Sequence, residues 1–262
     1  MPRHARPDDQ LTQPYTHRPR GQRTQPPPGG HVAAHRPGLA WLLTGAGLCV
    51  LVLVLGEVAK TGPVGRLDLR ADEDLVHDRT GALTAVAKFF TTIATPETVG
   101  VGLLIALPVI LWLLRRRLDA VRVLCMFAGA FALAEVGKKL INEHRPPISV
   151  QAMAADHTPS FPSGHATTAA VLAVSLVVIV TPLAWRAVVA VLGVLYAVAV
   201  AASRVYLGDH YPLDVLGSIL CALAAAFVVA GLLALPAVQP YARRLTSRSG
   251  RGRGSGDHPI AD

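Results

Sequence analysis

The sequence predicts an all-α fold, a polytopic membrane bundle of six transmembrane helices with an amphipathic helical segment on its outer side. The first observation is composition, because the 262 residues are 52% apolar and only 16% charged, with a mean hydropathy of +0.42. Soluble domains carry more charge than this. The second is that Leu, Val and Ala fill the apolar runs, and helices of these residues satisfy their own backbone hydrogen bonds in lipid. The third is that the chain has six such apolar runs, each a candidate for one membrane span.

Six apolar runs are candidates for membrane spans, and polar segments separate most of them. Several are slightly shorter than the ~20 residues that a helix needs to cross a bilayer, so we expect their helices to continue into the flanking residues. In chain order the runs are residues 38–55, 98–114, 118–136, 166–185, 187–202 and 215–238.

The two ends of the chain are polar and are predicted to be disordered tails. Residues 1–37 are rich in Pro, Arg, His, Gln and Gly, and residues 239–262 are rich in Arg, Gly and Ser. Such compositions bury too little apolar surface to offset the entropy of ordering. The predicted organisation is a tail over 1–37, a membrane domain over 38–238 and a basic tail over 239–262.

The distribution of basic residues predicts the orientation of the bundle. Six spans place both tails on one side of the membrane, and most of the 25 Lys and Arg residues lie on that side. The positive-inside rule then makes both tails cytoplasmic. The net charge of +8 has the same explanation, so it does not indicate a nucleic-acid partner.

The segment 66–97 is predicted to lie on the opposite, outer side. Leu83, Val86, Phe90 and Ile93 recur in it at helical spacing, which indicates an amphipathic helix on the outer leaflet. Such a helix could cover the bundle or could admit a lipid substrate, and the sequence favours neither role.

Seven polar or ionisable residues gather at the outer ends of the predicted spans. Cations, hydroxyl groups and imidazoles that converge at one end of a helical bundle suit an anionic ligand, and phosphate is the commonest. The seven are Lys138, Arg145, Ser163, His165, Arg204, His210 and Asp214.

The first of three blocks that hold these residues is KKLINEHRPP, in which Lys138 and Arg145 are seven positions apart. The pair can offer a point charge and a planar fork to separate phosphate oxygens. The alternative is that Lys138 extends toward the membrane interface and Arg145 is a solvated loop residue. We expect Glu135 to pair with Lys139 at i,i+4 spacing, which leaves Lys138 as the free cation.

The second block is PSGH, residues 162–165. Ser163 can cap the fourth span, and Gly164 lets a backbone N–H approach an oxyanion closely. The positive end of the helix dipole adds to the attraction, and His165 then faces the anion. The alternative is that Ser163 is only a cap and His165 an interfacial polar residue.

The third block joins the fifth and sixth spans and runs from Ser203 to Asp214. His210 and Asp214 are four positions apart, so the carboxylate can reach one imidazole nitrogen if the sixth helix begins near Tyr211. That contact would set the tautomer and leave the other nitrogen unprotonated, as a nucleophile or base. Asp214 can also act as a plain helix cap.

The three blocks resemble the type 2 phosphatidic acid phosphatase family, which is related to the vanadium-dependent haloperoxidases. Its pattern is a lysine seven before Arg-Pro, then Pro-Ser-Gly-His, then Ser-Arg with a histidine six after the arginine and an aspartate four later. The six-span layout resembles the membrane branch of that family over residues 38–238. The matched residues are Lys138, Arg145, Pro146, Pro162, Ser163, Gly164, His165, Ser203, Arg204, His210 and Asp214.

The resemblance implies a phosphomonoesterase or diphosphatase that needs no metal or cofactor. The predicted topology places its site at the outer face of the membrane beside the amphipathic segment, which favours a lipid phosphate as substrate because its headgroup lies at that depth. The resemblance also implies that His210, oriented by Asp214, attacks phosphorus and that His165 protonates the leaving oxygen. Water, deprotonated by His165, would then release phosphate from the phosphohistidine. The resemblance gives five residues the task of holding the equatorial oxygens: Lys138, Arg145, Ser163, Gly164 and Arg204.

Other functions stay open at this point. A transporter would carry ionisable residues near mid-span rather than at one end, and a phosphotransferase would pass the phosphoryl group to a second lipid or alcohol. The motifs select no lipid among undecaprenyl diphosphate, phosphatidate, phosphatidylglycerol phosphate and diacylglycerol diphosphate, and no oligomeric state. A metal site would draw on outer residues whose spacing matches no recognised ligand set: His144, Asp156, His157, His165, Asp209 and His210.

Overall fold

The computed structural model describes residues 36–96, 100–153, 157–180 and 182–247. Regular structure in these residues is helical, with nine α-helices and a short 3-10 turn at Ile148–Val150. The all-α prediction is therefore confirmed for the described part of the chain. The helices are α1 (Arg36–Ala59), α2 (Gly62–His77), α3 (Gly81–Thr92), α4 (Val101–Leu113), α5 (Arg117–Ile141), α6 (Gly164–Ile179), α7 (Leu183–Tyr206), α8 (Pro212–Ala234) and α9 (Gln239–Ser247).

Six of these helices correspond to the six apolar runs. Four of them, α1 from Pro37 onward, α5, α7 and α8, are long and apolar enough to cross a membrane. The other two are short of the ~20 residues that a span needs, since α4 has 13 residues and α6 has 16. A multi-pass membrane protein is confirmed, and the count of six spans stays a prediction.

The predicted fourth span, 166–185, extended too far. α6 ends at Ile179 and α7 begins at Leu183, with Pro182 as its N-cap. Proline interrupts the backbone hydrogen bonds of a helix because it lacks an N–H, and it disfavours the helical conformation of the residue before it. Trp185 therefore lies in the first turn of α7, and the fifth apolar helix is longer than the predicted 187–202.

The C-terminal segment differs from the disordered tail predicted over 239–262. Residues Gln239–Ser247 form α9, which packs against α5 and α8. Gln239 donates from Nε2 to the carbonyl oxygen of Leu233 at 2.7 Å. Pro240 follows in the first turn, where the missing N–H has no intrahelical partner to lose. Residues 248–262 and the predicted N-terminal tail up to residue 35 lie outside the described residues.

Small residues let α1 and α8 approach closely. A Cβ atom added to Gly45 would lie 2.9 Å from the backbone nitrogen of Val228, and one added to Gly231 would lie 2.8 Å from that of Leu42. Close backbone approach of this kind is typical of membrane helices, because lipid offers no hydrophobic drive and van der Waals packing holds the pair.

The direction of each helix decides which residues meet. α5 and α7 end, and α6 and α8 begin, at one end of the bundle, which we call the site end. Lys138 of α5 shows this, since its Nζ lies 4.0 Å from where a Cβ of Gly164 would be. α1 begins at the opposite end, where Gly38 lies against Ala234 of α8.

The segment between the first two apolar runs forms two helices, α2 and α3. Thr80 starts α3 by accepting the backbone N–H of Leu83 on Oγ1 at 3.2 Å, as an N-cap does. Leu83 and Val86 are half exposed, whereas Phe90 packs against the bundle. The helical state of this segment is confirmed, whereas its amphipathic role and its position on the outer leaflet stay predictions. α2 also buries two acidic residues, Asp68 and Asp72.

Candidate active site

The structure brings the residues predicted from the three blocks to the site end. Lys138 lies in the last turn of α5, and His165 in the first turn of α6. Arg204 lies in the last turn of α7, and Asp214 in the first turn of α8. The bundle thus collects at one end groups that lie far apart along the chain.

The His210 imidazole and the Asp214 carboxylate form a buried pair. Nδ1 of His210 lies 3.2 Å from Oδ2 of Asp214, and the residues are 1% and 0% exposed. The same Oδ2 accepts the backbone N–H of Tyr211 at 2.9 Å, which caps α8. The orienting role and the capping role that the sequence left open are therefore both present. An ionised Asp214 keeps the proton of His210 on Nδ1 and the lone pair on Nε2.

Ser160 is a member of this cluster that the sequence did not reveal. Its Oγ donates to Oδ2 of Asp214 and lies 3.3 Å from Nδ1 of His210, and the residue is fully buried. Ser160 precedes PSGH by two positions, in a loop without periodicity. Its partners come from 50 residues or more along the chain, so no local signal could have found it.

The PSGH loop is tied to α8 through Ser163. The backbone N–H of Ser163 donates to the carbonyl oxygen of Asp214 at 3.3 Å, and Ser218 Oγ donates to the carbonyl oxygen of Ser163 at 2.8 Å. Ser163 Oγ accepts from the backbone N–H of Ala166 at 3.4 Å, so the capping role is confirmed. The contact of Ser163 and Gly164 with phosphate stays a prediction. His165, beside them, is partly exposed.

Phe161 and Pro162 anchor the same loop against glycines of three helices. The Phe161 ring is fully buried. A Cβ on Gly217 of α8 would lie 2.5 Å from the ring, one on Gly56 of α1 would lie 2.7 Å from it, and one on Gly137 of α5 would lie 2.9 Å from Pro162 Cδ. The position of the loop therefore depends on the absence of side chains at these three sites.

Two arginines lie around Asp209 in the turn before His210. Arg204 is 4% exposed, and its Nη1 lies 3.1 Å from Oδ2 of Asp209 and donates to Thr91 Oγ1 at 3.4 Å. Arg145 donates from Nη1 to the carbonyl oxygen of Asp209 at 3.1 Å and from Nε to that of Thr158 at 2.9 Å. Guanidinium groups held in this way lose little further entropy when they bind an anion.

The expectation that Glu135 pairs with Lys139 and leaves Lys138 as the free cation is wrong. Glu135 Oε1 lies 3.6 Å from Nζ of Lys138, at i,i+3 spacing. Residues three and four apart both share a helix face, and Lys139 is the exposed one of the two lysines. The ion pair is long, and Lys138 still lies beside Gly164.

An acidic wall, made of Asp68, Asp72 and Glu143, stands beside Asp214. All three residues are buried. Burial is the largest cause that raises the pKa of Asp68 to about 6 and those of Asp72 and Glu143 to about 8, followed by neighbouring negative charges. This wall was not predicted, because the segment 66–97, which contains most of α2, was expected to lie on the surface. The i,i+4 spacing of Asp68 and Asp72 was the available signal.

In the part of the chain that the structure describes, no group of three or more His, Cys, Asp or Glu side chains is placed to hold a metal ion. Asp156, one of the residues considered as a ligand, lies outside that part. Metal independence stays a prediction, which a chelator can test.

Comparison with known proteins finds a family model that matches part of the chain. Residues 119–234 match the sequence model of the PAP2 superfamily. The matched segment contains the predicted site residues of all three blocks, from Lys138 to Asp214, so the resemblance drawn from the sequence is confirmed.

Two PAP2 relatives show how far the likeness extends. An undecaprenyl-diphosphatase of Sulfolobus acidocaldarius is 33% identical over 108 residues, which are 39% of this chain and 49% of that protein. The match thus spans about half the length of this curated relative. The crystal structure of a transmembrane PAP2 type phosphatidylglycerolphosphate phosphatase from Bacillus subtilis has a TM-score of 0.62 at 26% identity, covering 80% of this chain and 99% of that one.

Proposed function

We propose that the protein is an integral membrane lipid phosphatase, which hydrolyses a phosphomonoester or diphosphate headgroup through a phosphohistidine. The observation that carries the proposal is the buried His210–Asp214 pair, which lies at one end of an apolar helical bundle beside Arg204 and the PSGH loop. The likeness to an undecaprenyl-diphosphatase and to a phosphatidylglycerolphosphate phosphatase supports the same reaction class.

The nucleophile is Nε2 of His210. Asp214 accepts the Nδ1–H, and its negative charge stabilises the ring as the ring becomes cationic. The bond from Nε2 to phosphorus forms while the bond from phosphorus to the leaving oxygen breaks. Attack in line with the leaving group requires His165 on the opposite side of the phosphorus.

His165 donates a proton to the leaving oxygen and then takes one from the water that hydrolyses the phosphohistidine. Its place in the first turn of α6, partly exposed, suits an exchange of protons with solvent. His165 must begin protonated and His210 must begin with a lone pair on Nε2. A bell-shaped pH profile follows, and a flat profile across about pH 5 to 8 would contradict this assignment.

Cations and backbone donors hold the three equatorial oxygens, where negative charge collects in the transition state. Ser163 and Gly164 lie at the N-terminus of α6, so the positive end of the helix dipole adds to the field. Lys138, Arg145 and Arg204 supply the fixed positive charge.

The site lies on the outer face of the membrane, and both ends of the chain lie in the cytoplasm. Support comes from charge, because the basic loop Arg115–Arg117 lies between α4 and α5, at the end of the bundle opposite the site. A lipid phosphate suits this depth, since its headgroup lies at the level of the helix ends.

Phosphate release by the purified protein tests the proposal, with the four candidate lipids compared side by side. His210→Ala should abolish release, whereas His77→Ala, at an exposed position in α2, should keep the wild-type rate. Hydrolysis retained by His210→Ala would rule out the nucleophile. Addition of an alcohol acceptor separates a phosphotransferase from a hydrolase, and excess chelator tests metal dependence.

A further inference from the structure

The two oxygens of the Asp214 carboxylate have different surroundings. Oδ2 accepts from Ser160 and from the Tyr211 N–H and lies against His210 Nδ1. Oδ1 is buried and meets no conventional donor in the described residues, and neither does Oε2 of Glu143. The Glu143 and Asp214 carboxyl groups lie close enough to interact, and a hydrogen bond between these two oxygens would satisfy both of them.

A hydrogen bond between two carboxyl groups requires a proton between them, because an ionised carboxylate is only an acceptor. Both residues are more than nine-tenths buried, and two adjacent carboxylates cannot both ionise at low cost in such surroundings. Asp214 already has three groups on Oδ2 that favour its charged form. The proton therefore belongs to Glu143.

We propose that Glu143, in its protonated form, is a positioning residue that donates a hydrogen bond to Asp214 and so holds the carboxylate against His210. The proposal rests on the phosphatase function and deepens it. Glu143 acts through Asp214 and has no contact with phosphate, so its removal should lower kcat and leave KM nearly unchanged.

The backbone of Glu143 braces the same cluster from a second direction. Asn142 adopts a left-handed conformation, with φ 50°, where the chain leaves α5. The carbonyl oxygen of Glu143 then accepts the backbone N–H of Ser160 at 2.9 Å. A single residue thus supports Asp214 with its side chain and Ser160 with its backbone.

Charged groups from three other elements face Glu143 and set where it titrates. Burial is the largest cause that raises the pKa of Glu143 to about 8; the charges of Asp214 and Asp68 raise it further, and Lys60 lowers it. A cavity of about 420 Å³ lined by Lys60, Glu143 and Tyr211 gives the carboxyl access to protons. Ionisation of Glu143 at higher pH removes the hydrogen bond and puts a second negative charge beside Asp214. On the alkaline side kcat should therefore fall more steeply than deprotonation of His165 alone would cause.

Two substitutions at Glu143 separate the effect of its hydrogen bond to Asp214 from the effect of its ionisation. Glu143→Gln keeps a donor that does not titrate, so kcat near pH 7 should stay within about 3-fold of wild type. The alkaline limb of the profile should become less steep, because only the fall caused by deprotonation of His165 remains. Glu143→Leu removes the donor, so kcat should fall on the order of 10-fold at unchanged KM. Glu73→Gln, the same change at an exposed position of α2, should keep the wild-type profile.

Asp68→Asn offers a test that does not depend on the folding of any Glu143 variant. Asp68 raises the pKa of Glu143, so its neutralisation should move the part of the alkaline fall that Glu143 causes to lower pH. Infrared spectroscopy tests the proposal without any measurement of catalysis. The band of protonated carboxyl groups near pH 7 should be weaker in Glu143→Gln than in wild type.

Three results would overturn the positioning role: an alkaline limb as steep in Glu143→Gln as in wild type, a wild-type kcat in Glu143→Leu, or an infrared band that Glu143→Gln leaves intact. A wild-type protein that releases no phosphate but shows the infrared difference would contradict the phosphatase function instead. The two proposals therefore fail in different ways.

Discussion

Gly217→Ala tests whether the Phe161 anchor positions the phosphate site. The new methyl group would lie 2.5 Å from Cε2 and Cζ of Phe161. Carbon atoms pack at about 3.5–4.0 Å, so the ring would have to move by about 1 Å. It has little room to do so, because the same ring lies against Gly56 of α1.

The magnitude of the effect follows from this crowding. Overpacking a close-packed interior costs about 1–3 kcal/mol, which should appear as a lower unfolding temperature in detergent. Ser163 follows Phe161 by two residues and caps α6, so the PSGH loop should move with the ring. A misplacement of about 1 Å at reacting groups can cost about 100-fold in rate, and we expect kcat/KM to fall by roughly 10- to 100-fold.

The assay combines thermal unfolding with phosphate release, and the chain offers a matched control. Gly47→Ala is the same change in another apolar helix, at a position where a Cβ meets nothing within 4 Å. It should leave both the unfolding temperature and the rate at wild-type values. Phe161→Leu in the Gly217→Ala background should restore part of the stability. Wild-type stability and rate in Gly217→Ala would refute the anchoring argument.

Three further predictions concern the surroundings of the pair. In the folded protein the pKa of Asp72 is raised to about 8, so unfolding releases its proton and the free energy of unfolding falls as pH rises from about 4 to 8. Asp72→Asn should therefore raise the unfolding temperature more near pH 8 than near pH 4. An equal gain at both pH values would contradict this. Ser160→Ala removes a buried donor to Asp214 and should lower kcat about 10-fold at unchanged KM; an unchanged kcat would deny its role. Gly208 has φ +70°, and a Cβ there would lie 2.1 Å from the carbonyl oxygen of Val150. Gly208→Ala should therefore destabilise the protein by about 1–3 kcal/mol at the turn before His210. An unfolding temperature equal to that of wild type would contradict this.

Much of the candidate site could be predicted from the sequence because its signals are local. His210 and Asp214 are one helical turn apart, so their contact needed only a helix that begins near Tyr211, and α8 begins at Pro212. Ser163 is a preferred N-cap residue directly before an apolar run. In each case the residues that interact are close in the chain, or the motif spacing identified them together.

Some predictions failed because the local sequence was equally compatible with two structures. Glu135 could pair with Lys138 or Lys139, since three- and four-residue spacings both fit one helix face, and packing selected Lys138. The boundary between α6 and α7 was obscured because the apolar composition continues across Pro182. Helix α9 was missed because polar composition alone does not exclude a helix that docks on α5 and α8.

The sequence by itself determined that the protein is a helical membrane protein and which residues form the three blocks of its candidate site. Hydropathy and motif spacing are properties of neighbouring residues, so they can be read along the chain. Only the tertiary structure decided that Ser160 and Glu143 lie beside Asp214, and that the Phe161 ring lies in a space left by glycines of two helices. The partners in these contacts lie more than 50 residues apart in the chain, and the packing of helices, rather than any local pattern, brings them together.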